Sequence, residues 1–368
     1  MNDTLTVTRL LTRKNALSES RVDVRPVALA LPEGQVWLAI DRVALTTNNI
    51  TYAAFGDSMN YWGFFPTGVA DWGHMPVWGF ADVIASTVEG VAVGERFYGY
   101  FPIASHIRMR PVRVSERGFY DGAEHRLALT SAYNQYSRCS ADPVYARADE
   151  DYQALLRPLF VTSFMLADFL SDNAYFGAKR LVVSSASSKT AFGTAFCLRD
   201  QNDVELVALT SPRNRAFVEG LDGYQHTVSY DELTTLDTMT PTLYVDFSGD
   251  DELRSRVHRH FGTALVYDCF AGSAQKAAEH QPPPLPGPAP VFYFAPVQIR
   301  KRNADWGPAV VNQRFGDAQK AFISELGAPG NAWMRVVEHP GFEAAQRLIA
   351  DLHDGKAAPI DGHVVTFR

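Results

Sequence analysis

Apolar residues in the first 145 positions come in short runs that small turn residues interrupt. Residues 35–45 and 81–88 concentrate Val, Ile, Ala and Trp side chains as strands do. Gly90 and Gly94 mark turns after them, and residues 96–101 are extended again. This part of the chain is therefore predicted to form a compact β domain.

From residue 155 onward the apolar runs alternate with helical periodicity. Residues 155–170 favour a helix. The strands predicted next are 179–184, 204–210, 242–247 and 264–268, and the helices between them are 190–199, 213–221 and 252–260. After residue 290 we predict a strand at 291–295, helices at 317–326 and 341–353, and a last strand at 362–367. Strands that alternate with helices indicate βαβ units and a parallel sheet.

Residues 181–193 carry the most information about function. An apolar run stops at small polar residues, one lysine follows, and a helical pattern begins. A strand, a tight turn and a helix start form a phosphate cradle, because small side chains let an anion approach the backbone N–H groups of the helix N-terminus. The candidate phosphate contacts are Ser185, Ser187, Ser188, Lys189 and Thr190.

The first interpretation of this segment is a dinucleotide-binding turn. Its glycine fingerprint is not intact, because Ser and Ala occupy the turn and Gly193 alone remains. The next predicted strand ends at Ser211, and Arg213 and Arg215 follow. NAD-binding proteins place an acid here, whereas Arg or Lys receives the 2′-phosphate of NADP. The pattern favours NADP(H), although arginines at a solvated helix start would look the same.

Two other interpretations stay open. Ser188, Lys189 and Thr190 resemble the end of a Walker A loop, and Asp246 ends an apolar strand as a Walker B acid would. Val183 and Ser188, however, stand where that motif has its glycines. The remaining alternative is an ordinary β–α turn without a ligand.

Composition narrows the class of protein. The net charge of −7 and the pI near 5.8 argue against general binding to nucleic acid or anionic membranes. Cys139, Cys197 and Cys269 lie far apart, which is typical of a reducing compartment. No signal peptide is evident, and no uninterrupted apolar run reaches the roughly 18 residues that span a bilayer. We expect a cytoplasmic protein.

Several motifs, taken in order, resemble those of a known superfamily. Residues 36–49 stand where its first-domain strand ends in an Asn-Pro-x-Asp region, and residues 76–84 stand in its Pro-x-x-x-Gly strand region. Residues 90–99 are similar to its Gly-Val-x-x-x-x-Val-Gly-Asp-Arg-Val signature, with a shortened loop. The chain thus resembles the medium-chain dehydrogenase/reductase superfamily. Longer strings at 98–102, 157–160, 184–190 and 294–299 resemble its DUF2855 branch, for which no reaction is known to transfer.

The resemblance implies an α/β protein with a GroES-like β-barrel domain formed by both chain ends and an inserted Rossmann domain with a doubly wound parallel sheet. It assigns residues 1–145 and 325–368 to the substrate domain and 146–324 to NADP binding. It also implies a homodimer and a small-molecule substrate, held with the nicotinamide in a cleft between the domains.

Zinc-binding members of the superfamily use a Cys near the first-domain strand end, a Gly-His-Glu stretch and a later Cys. Here those places hold residues 46–48, which are Thr-Thr-Asn, and 78–80, which are Trp-Gly-Phe. Catalytic zinc needs three protein ligands, and His74, Asp82 and Cys139 do not recreate the pattern. No metal is predicted.

A metal-free reductase needs a hydrogen-bond donor for the developing charge and a source of a proton. The resemblance points to Tyr52 first, with Asn49 as an orienting donor, and to Tyr61. For each of the two tyrosines, packing of the ring under the loop accounts for the sequence as well as a catalytic role does. By position, Phe294 and Ala295 would present backbone groups to the nicotinamide amide.

The leading hypothesis is a zinc-independent NADPH-dependent oxidoreductase that acts on an activated carbonyl, enone, enoyl thioester or quinone. An NADPH-binding sensor or scaffold without turnover is the second hypothesis. A nucleoside-phosphate enzyme with a degenerate P-loop is the third.

Overall fold

The chain divides into two units, Met1–Leu155 with Arg335–Arg368 (unit 1) and Leu156–Met334 (unit 2). The structure is a computed structural model, and it describes residues 4–271, 285–328, 330 and 333–367.

The described strands are β1 (Thr4–Arg13), β2 (Ala16–Ala28), β3 (Val36–Leu45), β4 (Trp72–Gly73), β5 (Pro76–Ser86), β6 (Arg96–Pro102), β7 (His106–Met109), β8 (Pro111–Ser115), β9 (Gly118–Asp121), β10 (Gln135–Arg138), β11 (Arg180–Val183), β12 (Glu205–Thr210), β13 (His226–Ser229), β14 (Thr242–Asp246), β15 (Leu265–Phe270), β16 (Val291–Phe292), β17 (Arg335–Pro340) and β18 (Asp361–Thr366). The described α-helices are α1 (Thr47–Ala54), α2 (Glu150–Asp172), α3 (Lys189–Leu198), α4 (Arg215–Glu219), α5 (Asp251–Phe261), α6 (Ala295–Trp306), α7 (Pro308–Leu326) and α8 (Gly341–His353).

The larger sheet of unit 1 is built from both ends of the chain. Its strand order is β17-β18-β3-β5-β6-β10-β9-β8, and β7 also pairs with β3. β18 runs antiparallel to β3, with Val364 opposite Ala44 and Val365 opposite Val43. Leu348 of α8 packs into the same apolar core. Both chain ends therefore form one β unit, as predicted.

Arg96 ties three segments of unit 1 together. Its buried guanidinium donates to Asp41 on β3 at 2.5 Å, to Asp82 on β5 at 2.9 Å and to Glu150 at the start of α2 at 2.6 Å. A buried cation is tolerated only when paired in this way. These contacts fix where α2 begins.

Unit 2 contains a fully parallel sheet with the order β13-β12-β11-β14-β15-β16. β11 pairs with β12 on one side and β14 on the other. The strand order therefore reverses at the carboxyl end of β11, which is where open α/β sheets bind ligands. Its residues Arg180–Val183 are all buried, as expected for a central parallel strand. The predicted α/β class with a parallel sheet is confirmed.

Helix α2 is long and apolar. By length and composition alone, Arg147–Asp172 could cross a membrane, but 56% of its apolar window is buried within the described structure. Leu166 and Leu170 lie in the core of unit 2. The helix therefore packs like the core helix of a globular unit.

Candidate functional site

The turn between β11 and α3 has the backbone of a glycine-containing loop without the glycines. Ser185 adopts a φ of +47°, a left-handed conformation that favours glycine and costs other residues about 1–2 kcal/mol. Ser188 caps α3 by accepting the N–H of Ala191 at 3.3 Å. Lys189 is the first residue of the helix. The turn thus brings small polar side chains to a helix N-terminus, as an anion site requires.

Gly193 keeps its role in helix packing. A Cβ atom at this position would lie 2.8 Å from Ser163 Oγ and 3.2 Å from Ser163 Cβ on α2. The same hydroxyl donates to the Thr190 carbonyl at 2.8 Å. Gly193 thus allows α3 to lie close to α2, whereas the third glycine of a dinucleotide fingerprint allows the helix to pack closely on a strand.

The carboxyl end of β12 lies beside the turn. Asn214 donates to Ser187 Oγ at 3.0 Å and so joins the two strand ends. Ser211 precedes a short 3₁₀ turn, Pro212–Asn214, without capping it through its side chain. The loops that follow β11 and β12 are therefore held against each other.

The two arginines that follow β12 are not equivalent. Arg213 is exposed, and its side chain makes no hydrogen bond or ion pair with any other described residue. Arg215 donates to Glu219 at 2.7 Å and to Glu232 at 2.5 Å. The hydrogen bond from the Ser229 N–H, and then Arg215, hold the pKa of Glu232 below its ordinary value. The prediction treated both arginines alike, but only Arg213 is uncommitted.

Two tyrosines that the sequence did not single out support the same turn. The Ser185 N–H donates to the Tyr230 hydroxyl at 3.3 Å, and the Tyr224 hydroxyl donates to the Ala186 carbonyl at 3.4 Å. Both flank β13, and nothing in that segment of the sequence predicts a contact with the loop.

Asp246 at the end of β14 is engaged by the protein itself. Its Oδ1 accepts from the hydroxyls of Ser184 at 2.8 Å, Ser248 at 2.6 Å and Tyr244 at 3.2 Å. Its Oδ2 pairs with the guanidinium of Arg254. A Walker B acid needs a free oxygen to hold magnesium through water, and this fully buried carboxylate offers none. The geometry disfavours the P-loop interpretation.

In unit 1, four tyrosines from separate segments converge, and we call them the tyrosine cluster: Tyr52, Tyr61, Tyr100 and Tyr133. The ring centroids of Tyr52 lie 4.8 Å from Tyr61, 5.7 Å from Tyr100 and 5.9 Å from Tyr133. The hydroxyls of Tyr61 and Tyr133 are 3.3 Å apart. Trp78 forms one wall, 5.1 Å from the Tyr100 ring. The structure therefore brings both predicted tyrosines, Tyr52 and Tyr61, together.

Burial keeps these phenols protonated. Burial is the main cause that raises the pKa of Tyr52 to about 12, and repulsion from an ionised Tyr61 adds to it. Trp78, Asn48 and Tyr133 approach its hydroxyl and act in the opposite direction. Burial also raises the pKa of Tyr61. Neutral phenols are hydrogen-bond donors throughout the physiological pH range.

Asn49 has a structural role that was not predicted. Its side-chain oxygen accepts the Thr46 N–H at 2.8 Å, which closes a capping box at the start of α1, and its amide donates to the Pro76 carbonyl at 2.9 Å. These contacts use its oxygen and one of its two N–H donors, and its predicted role beside Tyr52 stays a prediction. The neighbouring Asn48 also approaches the Tyr52 hydroxyl.

Among the described residues, no group of three or more His, Cys, Asp or Glu side chains is arranged to hold a metal ion. Burial lowers the pKa of His74 to about 3. Asp82 is bonded to Arg96, and Cys139 is buried on its own short 3₁₀ turn.

Phe294 and Ala295 lie at the start of α6. Phe294 is the residue before the helix and is 48% exposed, whereas Ala295 is buried. Phe294 stacks on Phe292 of β16 with ring centroids 6.1 Å apart. Their predicted contact with a nicotinamide stays a prediction.

Several solved structures have the same fold, and some of them are described as reductases. CurA from Vibrio vulnificus, in complex with NADPH, is 13% identical, with 98% of this chain and 99% of that chain covered and a TM-score of 0.58. A mutant enoyl thioester reductase from Candida tropicalis is 10% identical, with coverage of 99% and 100% and a TM-score of 0.55. A protein from Bacillus thuringiensis described as an NADPH:quinone reductase is 11% identical, with coverage of 99% and 100% and a TM-score of 0.53.

These likenesses confirm the predicted medium-chain reductase fold, a GroES-like domain with a Rossmann domain. The sequence profile of a family described as a protein of unknown function, DUF2855, matches residues 43–358. No curated protein matches the sequence significantly.

Proposed function

We propose that this protein, which belongs to the DUF2855 family, is a zinc-independent, NADPH-dependent oxidoreductase. It reduces a small molecule with an activated carbonyl, an enone, an enoyl thioester or a quinone. The observation that carries the proposal is the tyrosine cluster, which presents neutral phenols in a chain whose other unit has a dinucleotide-type turn. The reductases of the same fold support this assignment.

Unit 2 binds the cofactor. The residues that would hold the pyrophosphate stand at the start of α3: Ser185, Ser187, Ser188, Lys189 and Thr190. The left-handed backbone at Ser185 and the small side chains of the turn are what such a site requires, so the residues present fit a dinucleotide.

The 2′-phosphate is recognised beside Ser211. Arg213 forms the direct contact because its guanidinium is uncommitted, and a guanidinium matches a phosphate with two parallel hydrogen bonds. Arg215 neutralises Glu232, which would otherwise repel the phosphate.

Unit 1 supplies the proton. NADPH, when bound, supplies the hydride. Tyr52 then donates a hydrogen bond to the substrate oxygen as negative charge develops there, and passes its proton to the substrate. Tyr61 and Tyr133 are linked to each other and stand against Tyr52, where they complete the wall of donors.

The accompanying proposals concern the setting of the enzyme. Unit 1 is the substrate domain and unit 2 the NADP-binding domain. Described cysteines form no disulfide, which agrees with a cytoplasmic location. The protein works as a homodimer, which light scattering of the purified chain tests directly.

To test the proposal, the purified protein is titrated separately with NADPH, with NADH and with ATP plus magnesium. Oxidation of NADPH is then followed at 340 nm in the presence of a panel of quinones, enones and enoyl thioesters. We expect NADPH binding, turnover with part of the panel, and no stoichiometric zinc by elemental analysis. Tyr52→Phe should lose turnover and keep NADPH affinity. Tyr145→Phe is the matched control, because that hydroxyl bonds Glu150 outside the cluster.

Three outcomes overturn the proposal in different ways. Binding of ATP with magnesium, and not of NADPH, points to the nucleoside-phosphate enzyme. NADPH binding without oxidation by any electrophile points to the sensor or scaffold. Full activity of Tyr52→Phe removes that tyrosine from the chemistry.

A further inference from the structure

Tyr100 is the deepest member of the tyrosine cluster, and its hydroxyl is unused. The side chain is fully buried, and the hydroxyl makes no hydrogen bond to any described residue. Its ring meets the edge of Tyr52 at an interplanar angle of 84° and lies 4.9 Å from the ring of Tyr133. A buried polar group without a partner is rare enough to call for an explanation.

A neighbouring phenol shows how this fold treats a structural tyrosine. The hydroxyl of Tyr136, equally buried, donates to the Tyr100 carbonyl at 2.6 Å and accepts from Arg126 at 2.9 Å. The fold thus pairs one buried phenol fully and leaves the other with a free donor. Within the tyrosine cluster, Tyr100 is the member whose buried hydroxyl has no described partner, so it is the member with a donor to spare.

The groups around Tyr100 indicate what that partner is. After burial, the charge of an ionised Tyr52 is the strongest influence that raises the pKa of Tyr100, followed by those of Tyr133 and Tyr61. Arg126 is the cation nearby, and it acts in the opposite direction. Phe64 and Phe65 close the remaining sides of the ring. Two of the rings packed against Tyr100 therefore carry hydroxyls of the tyrosine cluster, Tyr52 at 5.7 Å and Tyr133 at 4.9 Å between centroids.

A proton donor in this place leaves an anion behind. When Tyr52 gives its proton to the substrate, its oxygen becomes a tyrosinate inside an apolar, low-dielectric cluster. A preorganised donor aimed at that oxygen stabilises the charge without reorganisation of the protein. The unpaired O–H of Tyr100, on a ring whose centroid lies 5.7 Å from that of Tyr52, is the donor available for this role.

We propose that Tyr100 is a positioning residue for Tyr52: its hydroxyl donates a hydrogen bond, directly or through one water, to the Tyr52 oxygen and stabilises the tyrosinate that proton transfer creates. This inference rests on the proposed function. The bonds balance: the hydride of NADPH and the Tyr52 proton reduce the substrate, NADP⁺ remains, and Tyr52 recovers a proton from water after product release.

Tyr100→Phe tests the proposal by removing the hydroxyl alone. We expect kcat to fall about tenfold with KM unchanged, because the lost hydroxyl donates to the Tyr52 oxygen and does not touch the substrate. Thermal stability should be unchanged or higher, since the variant removes an unpartnered buried hydroxyl. Tyr98→Phe is the matched control: it lies on the same strand and face, and its ring contacts Trp78 and Phe80. It should retain kcat.

A double-mutant cycle separates positioning from packing. In the Tyr52→Phe background, Tyr100→Phe should have no further effect on residual turnover, because the group it serves is gone. An unchanged kcat in Tyr100→Phe, or equal losses with and without Tyr52, overturns the proposal.

A second readout needs no turnover, and so distinguishes this inference from the proposed function. With tyrosine labelled at the Cζ carbon, the Tyr52 resonance, assigned through Tyr52→Phe, should shift in Tyr100→Phe and not in Tyr98→Phe. If the protein reduces nothing yet the resonance shifts, the proposed function fails and the contact stands. If the resonance does not move, the contact itself is refuted.

Discussion

The preference for NADPH over NADH should depend on Arg213 more than on Arg215. The two cofactors differ only at the ribose 2′ position, so a residue that binds the 2′-phosphate affects one and not the other. Arg213 is exposed and unpaired among the described residues, whereas Arg215 is bonded to Glu219 and Glu232.

The expected loss of NADPH affinity follows from the solvent exposure of Arg213. A hydrogen bond between charged groups contributes about 1.5–3 kcal/mol. Solvent reaches this guanidinium, so the low end applies, and about 1.5 kcal/mol corresponds to roughly a tenfold rise in Kd. Arg213→Ala should therefore weaken NADPH about tenfold. Arg215→Ala should weaken it less, by releasing Glu232 near the phosphate, and the double variant should weaken it most.

The assay is calorimetric or fluorescence titration of each variant with NADPH and NADH at two salt concentrations. The affinity for NADH should change by less than about twofold. The loss of affinity for NADPH should be smaller at high salt, because exposed charges are screened. Arg259→Ala, an exposed arginine on α5, controls for the loss of one positive charge. Equal losses for the two cofactors would refute the assignment of the 2′-phosphate to this strand end.

Three further predictions concern the supporting structure. Between about pH 6.5 and pH 3, His74 is protonated in the unfolded chain and neutral in the folded chain. The free energy of unfolding should therefore fall by about 1.4 kcal/mol per pH unit as the pH is lowered. In urea unfolding, His74→Gln should show a weaker fall of this free energy with pH. Asp246→Asn leaves Arg254 short of a partner in the core and should cost about 3 kcal/mol in urea unfolding; no loss would show that the pair contributes nothing net. Ser188→Ala removes the cap of α3 and should lower stability by about 1 kcal/mol and also weaken NADPH, whereas Ser188→Thr should retain both.

The parallel sheet was predictable because its strands are locally apolar and its helices locally periodic. Helix α8 was predicted at its observed bounds, Gly341–His353. Helix α6 was missed, because its inward face is polar. Gln298 and Arg302 are buried there and bond Asp168 of α2, so no apolar period marks the helix.

The tyrosine cluster was predictable only in part. Tyr52 and Tyr61 stood out through the resemblance of their segment, but Tyr100 is one aromatic residue among several on β6, and only the folded sheet brings it to Tyr52. Which of Asn48 and Asn49 closes the capping box of α1 was not predictable, because adjacent residues of the same type give no basis for that choice. Likewise, the partners of Arg215 come from a different segment, around Glu232.

The pairing of β18 with β3 has a consequence for the order in which the protein is made. Unit 2 is one continuous stretch of chain, so all of its residues have been synthesised by position 334. Unit 1 begins first, yet the edge of β3 opposite Val364 and Val365 stays open until the last described strand emerges. Since domains fold as units during synthesis, the unit that starts the chain is completed last. Until then its unpaired strand edge is the part of the nascent protein most exposed to wrong pairing with other chains.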